Sequence, residues 1–237
     1  MPAHPTLKAL SSMATKALLH DLCTEAGEIG GWSLSVESIG GVDAAKRVAA
    51  GEAVDLVLLA SDAIDRLMAA GQVMPQSRGD WVLSSVAMAV PAAAPRPDIH
   101  NEATLQAAVA AAASVGYSTG PSGAYLEQLF ARWGMSDAVK AKLVVPPPGT
   151  PVGALIASGQ VALGFQQRSE LVHLQGITLL GDLPSDVAYT TIFSSALGAS
   201  LAQDPQRLAA ARAWQQHLMS AATEAAKRRH GMLPAAT

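Results

Sequence analysis

The chain has 237 residues, half of them hydrophobic, 15% charged, with a net charge of −3. That length and balance allow one large domain or two lobes with ample core and exclude a mostly disordered chain. No basic block suggests nucleic acid, and the single cysteine, Cys23, excludes an internal disulfide.

The opening Met1-Pro2-Ala3-His4-Pro5 has neither a charged n-region nor an apolar h-region. The expected address is cytoplasmic if Met1 is the native start, and periplasmic if a signal peptide has been removed. No run of about 18 apolar residues is present, so no membrane-spanning helix is expected. Thr6–Leu10 reads as a short strand. Ser11-Ser12 then precedes a helix with Leu18, Leu19, Leu22, Cys23 and Ala26 in apolar register, where Cys23 reads as core packing. After Gly30-Gly31, Ser33–Ser38 alternates like a strand. Gly40-Gly41 opens a second helix, with Asp43 as its expected N-cap and Gly51 as its stop. Val54–Ala60 is apolar but for Asp55 and reads as a buried strand, and Ser61-Asp62 starts a third helix ending at Gly71. The order β-α-β-α-β-α predicts a parallel sheet with helices on its faces.

Trp81–Val90 is a long extended stretch, followed by Pro91, Pro95 and Pro97, which forbid helix. Ala103–Ala113 reads as a closely packed helix. A β-like run, Ser114–Tyr117, ends in a small-residue turn that opens into a helical pattern over Tyr125–Trp133. Leu143–Val145 reads as a strand ended by Pro146-Pro147-Pro148. Pro151–Ser158 is a short helix stopped by Gly159, and Val161–Phe165 another buried strand. Val187–Leu197 is a second long extended run. From Asp204 to about Gly231 one long helix is expected, with Leu208, Ala211, Trp214, Leu218 and Ala221 on one stripe and Lys227-Arg228-Arg229 capping its end. The fold class expected is α/β, with two Rossmann-like lobes and a ligand cleft between them. Lobe 1 is expected over 1–82 plus 196–237 and lobe 2 over 83–195, with crossover strands at about 81–90 and 187–197. Ligands of such sheets bind outside the carboxyl ends of the strands.

The residues at those ends are Ser11-Ser12, Ser38 with Gly40-Gly41, Ser61, Ser118 with Ser122-Gly123, and Gln166-Gln167-Arg168. Short hydroxyls, glycines and amides at helix N-termini suit a small anion, because free backbone N–H groups and the helix dipole favour negative charge there. One Ser turn reads as an ordinary N-cap; the recurrence reads as an anion-binding cleft. Arg168 is the one cation among them and could clamp a carboxylate or pair with Glu170. The histidines (His4, His20, His100, His173, His217, His230) lack metal-ligand spacing, so no metal is assigned, and no cofactor is implied. No nucleophile elbow, Walker loop or dinucleotide fingerprint is present.

Four runs, Leu-Ser-Ser-Met-Ala at 10–14, Ala-Gly-Glu-Ala-Val-Asp-Leu-Val at 50–57, Gly-Pro-Ser-Gly-Ala-Tyr at 120–125 and Ala-Ser-Gly-Gln-Val-Ala-Leu-Gly at 157–164, resemble bacterial molybdate-binding proteins, type 2 periplasmic binding proteins that serve importers. The resemblance covers nearly the whole chain. It implies two α/β lobes closing on an oxyanion through N–H and hydroxyl donors, with an ABC permease as partner if the chain is exported. Ser12 matches the first hydroxyl of that family's site. Gly41 stands where a serine is implied, with Ser38 upstream, and Gln167 stands where a tyrosine is implied. Pro97-Asp98-Ile99, the run 164–171 and Leu183-Pro184 with the run 189–193 resemble the branch of the superfamily that contains aconitate isomerase, which implies a carboxylate ligand.

Three functions follow as expectations. One is capture of a small anion, a di- or tricarboxylate, in the cleft. A second is isomerisation of an unsaturated polycarboxylate by proton shift, with Glu37 or Glu170 as candidate base. A third is the molybdate- or oxyanion-binding component of an importer. A ligand-sensing domain of a regulator ranks below these.

Overall fold

In the first strand, β1 (Thr6–Ser12), alternation sends Leu7 and Ala9 to one face of a sheet and Leu10 to the other. The computed structural model describes residues 4–147 and 149–235, so Met1–Ala3, Pro148 and Ala236–Thr237 lie outside the described residues. A 3-10 turn at Met13–Thr15 leads into helix α1 (Lys16–Ala26). There follow β2 (Ser33–Ile39), α2 (Gly41–Ala49), β3 (Leu56–Ala60), α3 (Ser61–Ala69) and the long strand β4 (Gly79–Pro91). The middle of the chain forms α4 (Glu102–Ala111), β5 (Val115–Tyr117), α5 (Pro121–Arg132), α6 (Ser136–Lys140), α7 (Val152–Ala157), β6 (Leu163–Gln167), α8 (Arg168–Leu171) and β7 (Ile177–Asp182). The chain ends with β8 (Thr190–Leu197), α9 (Pro205–Met219), α10 (Glu224–Arg229) and β9 (Leu233–Pro234).

The chain divides into two compact units, one running through Leu83 and resuming from Ile192, the other spanning Ser84–Thr191. In unit 1, β1 pairs in parallel with both β2 and β3, and β8 runs antiparallel beside β3. One sheet face packs Leu7, Ala9 and Leu34 against Leu18, Leu19 and Leu22 of α1 and Trp214 of α9. The other packs Leu10, Val57 and Leu59 against Ala44 and Val48 of α2 and Ile64 of α3. In unit 2, β5 and β6 are parallel, while β4 is antiparallel to β6 and β7. Val86, Met88 and Phe165 face α4 and α5, and Ala87, Ala89 and Val161 face α7. The α/β class and β-α-β order expected from the sequence are those observed.

Departures from expectation have local causes. Leu143 forms only an isolated bridge with Val115, because Pro146 and Pro147 supply no donors to extend a ladder. The expected C-terminal helix is interrupted at Ser220, whose backbone is extended. There the Ser220 hydroxyl donates to the His217 carbonyl at 2.8 Å and Thr223 Oγ1 to the Leu218 carbonyl at 3.1 Å, capturing acceptors a continuing helix would need. Ala221 therefore leaves the stripe that Ala211, Trp214 and Leu218 keep. The N-cap of α2 is Gly40, and Asp43 lies in the first turn beside the helix dipole instead. Helix α5 starts at Pro121, four residues before the expected pattern, since proline's fixed φ suits a first helical position. Strand β7 and the short α6 have no counterpart in the sequence reading. Among the described residues no helix is long and apolar enough to cross a membrane.

Candidate functional site

Ser11 and Ser12 are the last two residues of β1, level with Ser38 and Ile39 of β2. Successive residues point to opposite faces, which separates the two serines. Ser11 shares the face of Ala9 and meets Ser38, hydroxyl to hydroxyl, at 2.7 Å. Ser12 shares the face of Leu10 and lies toward α2: a side chain added at Gly41 would place its Cβ 3.5 Å from the Ser12 Cβ. Ser11 and Ser38 thus satisfy each other, whereas Ser12 Oγ, on a residue only 6% exposed, has no hydrogen-bond partner among the described residues. An unpaired buried hydroxyl costs roughly 1–3 kcal/mol unless something arrives to use it. Ser61 is the first residue of α3 and half-exposed.

None of these serines makes a side-chain capping bond, although Ser12 stands at the N-cap position of the 3-10 turn Met13–Thr15. Helices α2 and α3 follow Gly40 and Ala60 with no side-chain cap, and α5 follows Gly120 in the same way. Helix α1 likewise has no side-chain cap, at Thr15, whereas α4 and α9 do. Asn101 accepts from Thr104 N to cap α4, with a reciprocal capping box, and Asp204 caps α9. The helices that begin at the carboxyl ends of β2, β3 and β5 are thus among those whose first N–H groups no capping side chain takes up, as are α1, α6, α8 and α10.

In unit 2, Ser118 and Ser122 pair at 3.2 Å, with Ser122 buried in the first turn of α5. Gly123 follows it, and here the glycine is a steric requirement, since an added Cβ would fall 1.7 Å from the Ser118 carbonyl oxygen. Beside this turn lies a cavity of about 200 Å³ lined by Tyr117, Thr119, Gly123, Glu127, Leu143 and Val145. A second, of about 490 Å³, is lined by Arg96, Asp98, His100, Leu179, Asp182 and Pro184.

The two glutamines at the end of β6 part company, as adjacent strand residues must. Gln167 donates through Nε2 to Thr191 Oγ1 at 2.7 Å, and its buried Oε1 has no partner. Turning the amide over would exchange donor and acceptor, so Gln167 keeps one open amide atom in either orientation. Gln166 is engaged: its Oε1 accepts from Gly153 N at the start of α7, and its Nε2 donates to Glu170, both at 2.7 Å. It acts as a clip on α7 through one bond at each of its polar atoms. Arg168 donates to Asp182 at 2.9 Å, so its partner is Asp182, not Glu170. Strand β7, which carries Asp182, was the element missing from the sequence reading, and that is why the pairing was missed.

The candidate bases fare differently from expectation. Glu37 points to solvent and is held by Arg47 through two bonds, at 2.6 and 2.9 Å, with Arg47 also binding Glu52. The Arg47 hydrogen bonds lower the Glu37 pKa, which keeps it ionised and occupied. Glu170 is half-buried, and burial raises its pKa to about 7 against the opposing pull of the Gln166 hydrogen bond. Its proton affinity suits a base, but its bond to Gln166 ties it to the α7 face of the sheet. Thr191, which holds Gln167, also went unread; its place in the 189–193 run was the available signal. Among the described residues no cluster of three or more His, Cys, Asp or Glu could hold a metal ion.

Comparison with known proteins places this geometry. The family described as bacterial extracellular solute-binding protein matches residues 7–233. Aconitate isomerase from a Pseudomonas species is 42% identical over 175 residues, 73% of this chain, and the match spans 65% of that protein's length. The periplasmic molybdate-binding protein of Azotobacter vinelandii superposes with a TM-score of 0.78 at 17% identity, covering 96% of this chain and 98% of that one. A tungstate-binding protein from Desulfovibrio alaskensis superposes at 0.70 and 18% identity, covering 98% of this chain and all of the other, 100%. At such identities the structural matches speak for the fold, a solute-binding-protein fold in each case. With a family match running almost end to end, this chain belongs to the bacterial extracellular solute-binding proteins.

Proposed function

We propose that the chain binds a small organic polycarboxylate. The observation that carries the reading is Ser12: a buried hydroxyl without a partner, beside the N-terminus of a helix that no side chain caps. A carboxylate oxygen supplies what both lack, an acceptor for the hydroxyl and for the first N–H groups of the helix. Gly41 and Ser61 at the starts of α2 and α3 belong to the same donor set in unit 1. In unit 2 the open amide atom of Gln167 and the Ser118–Ser122–Gly123 turn form a second set. Ser11 and Ser38 act as a brace between strands, and Gln166 and Arg168 as supports. An ABC permease would be the partner of an exported form.

A second reading is favoured by the 42% identity with aconitate isomerase: the bound acid is turned over. A base would take a proton from the methylene carbon of an unsaturated tricarboxylate, the allylic carbanion would be held by donors on its carboxylates, and a proton would return at the other end of the allyl system. Glu37 is paired with Arg47 and Glu170 accepts from Gln166, so neither is assigned as the base.

Incubation with cis- and trans-aconitate in D₂O, followed by NMR, tests both readings. Chemical-shift or line-width changes without interconversion support capture; interconversion with deuterium entering the carbon skeleton supports the isomerase. Binding of molybdate or tungstate with no response to either acid would remove the carboxylate reading in favour of an oxyanion-binding importer component.

A further inference from the structure

Gly41 has no structural need to be glycine. Its φ is not positive, unlike those of Gly27, Gly51 and Gly71 in the same unit. Its surroundings do not forbid a side chain either: an added Cβ would meet only the Ser12 Cβ, at 3.5 Å, an ordinary contact. As the first residue of α2 it is also a poorer helix former than alanine or serine. What the missing side chain does leave is access to Ser12 Oγ. A hydroxyl or bulkier group on a Cβ at that distance would reach the Ser12 hydroxyl and pair with it or cover it.

We propose that Gly41 is the specificity-determining position of the unit 1 donor set, keeping the Ser12 hydroxyl open on one side and leaving a flank without side-chain donors for the carbon skeleton of an organic acid. This rests on the carboxylate reading above and deepens it. A tetrahedral oxyanion turns oxygens in every direction and loses free energy wherever one faces no donor. An organic acid has carboxylate oxygens at its ends and CH or CH₂ groups between them, and the latter are best placed against a flank that offers no hydrogen bond. Gly41, whose one donor is its backbone N–H, adds no side-chain donor to that flank.

The test is isothermal titration of the wild-type chain and of Gly41→Ala, Gly41→Ser and Gly41→Val with trans-aconitate, tricarballylate and molybdate, with thermal midpoints measured on the same samples. Gly41→Ala and Gly41→Ser are expected to melt no lower than wild type and to bind the acids about tenfold more weakly, with Gly41→Val weaker still. Gly41→Ser, which adds a donor, is expected to gain on molybdate relative to the acids. Wild-type binding of an acid with unchanged affinity in all three variants overturns the role of Gly41 and leaves the carboxylate reading standing. So does a large drop in the Gly41→Ala midpoint, which would make the glycine a demand of the fold. A wild-type chain that binds only molybdate, or none of the three, overturns the carboxylate reading and this proposal together.

Discussion

Gly41 and Gly123 each stand in the first turn of a helix that follows a strand, one in each unit, and they are glycine for opposite reasons. At Gly123 the backbone of Ser118 comes so close that its carbonyl oxygen would lie 1.7 Å from any Cβ. At Gly41 the nearest atom to an added Cβ is 3.5 Å away. The hydroxyls beside them differ in the same sense. Ser122 already has a partner in Ser118, at 3.2 Å, while Ser12 has none. The serine beside a helix N-terminus can thus be paired within its own turn, as Ser122 is, or come unpaired from another strand, as Ser12 does.

The largest expected difference between the two turns is in stability. Gly123→Ala must push the Ser118 peptide aside or unwind the start of α5, and overpacking of this kind should cost about 3 kcal/mol or more. Gly41→Ala should instead match wild type or exceed it by about 0.4–1 kcal/mol, because alanine restricts the unfolded chain. Urea denaturation of the two variants reads both; equal midpoints would break the comparison. Next in size is Glu170 in unit 2. Its folded pKa, about 7, lies above the ordinary value of 4.5, so ionisation opposes folding. The penalty is absent below about pH 4.5, grows through the interval and is complete above 7, where it amounts to at most about 3 kcal/mol. Glu170→Gln keeps the acceptor for Gln166 and should abolish that fall. A variant whose stability tracks wild type from pH 4.5 to 8 would show that the carboxyl is not buried as described.

Smaller again is the effect of deleting the open hydroxyl. Ser12→Ala removes a buried donor that has no partner in the free protein, so stability should hold or rise slightly while carboxylate affinity falls by about 1–3 kcal/mol. Ser122→Ala also unpairs Ser118, so it should lower stability. Calorimetry together with denaturation on both variants separates the cases. A loss of stability without loss of affinity at Ser12 would make the two turns alike after all.

The fold was legible wherever burial leaves a repeating mark. Val54–Ala60 and Val161–Phe165 are apolar runs bounded by turn residues, and α1 carries its apolar residues at helical spacing, so the β-α-β order could be read directly. Strand β7 was not, because its residues are half-buried and it follows a turn with no hairpin signature. The break at Ser220 depends on which carbonyl each hydroxyl reaches, a detail that periodicity does not carry. The site residues were named as a set, but their division was hidden. That Ser11 meets Ser38, and Ser12 does not, follows from cross-strand register. The split between Gln166 and Gln167 follows from the period-2 alternation of β6, and their partners, Gly153 with Glu170 and Thr191, lie 13 or 4 and 24 residues away in sequence.

The smallest expected effect is at Glu37, and it tests how sharply the cluster of unit 1 is bounded. Glu37 is adjacent to Ser38 in sequence, yet alternation turns it to the other face of β2, where Arg47 holds both its oxygens at 2.6 and 2.9 Å. Those bonds lower its pKa, so it is ionised at neutral pH and contributes to stability only while ionised. That contribution is present above the ordinary carboxylate pKa of 4.5 and is lost as the pH falls through the lower folded value. The pair is solvent-exposed, so Glu37→Gln should change stability little at neutral pH, and the difference from wild type should vanish in acid. Affinity for an organic acid, and turnover if present, should be unaltered, because Arg47 keeps Glu52 as a partner and its charge stays on the surface network. A Glu37→Gln variant that loses turnover but retains binding would return Glu37 to the role of base. It would also require Arg47 to release it when the acid binds, a rearrangement that a Glu37→Gln, Arg47→Met double variant would expose as non-additive.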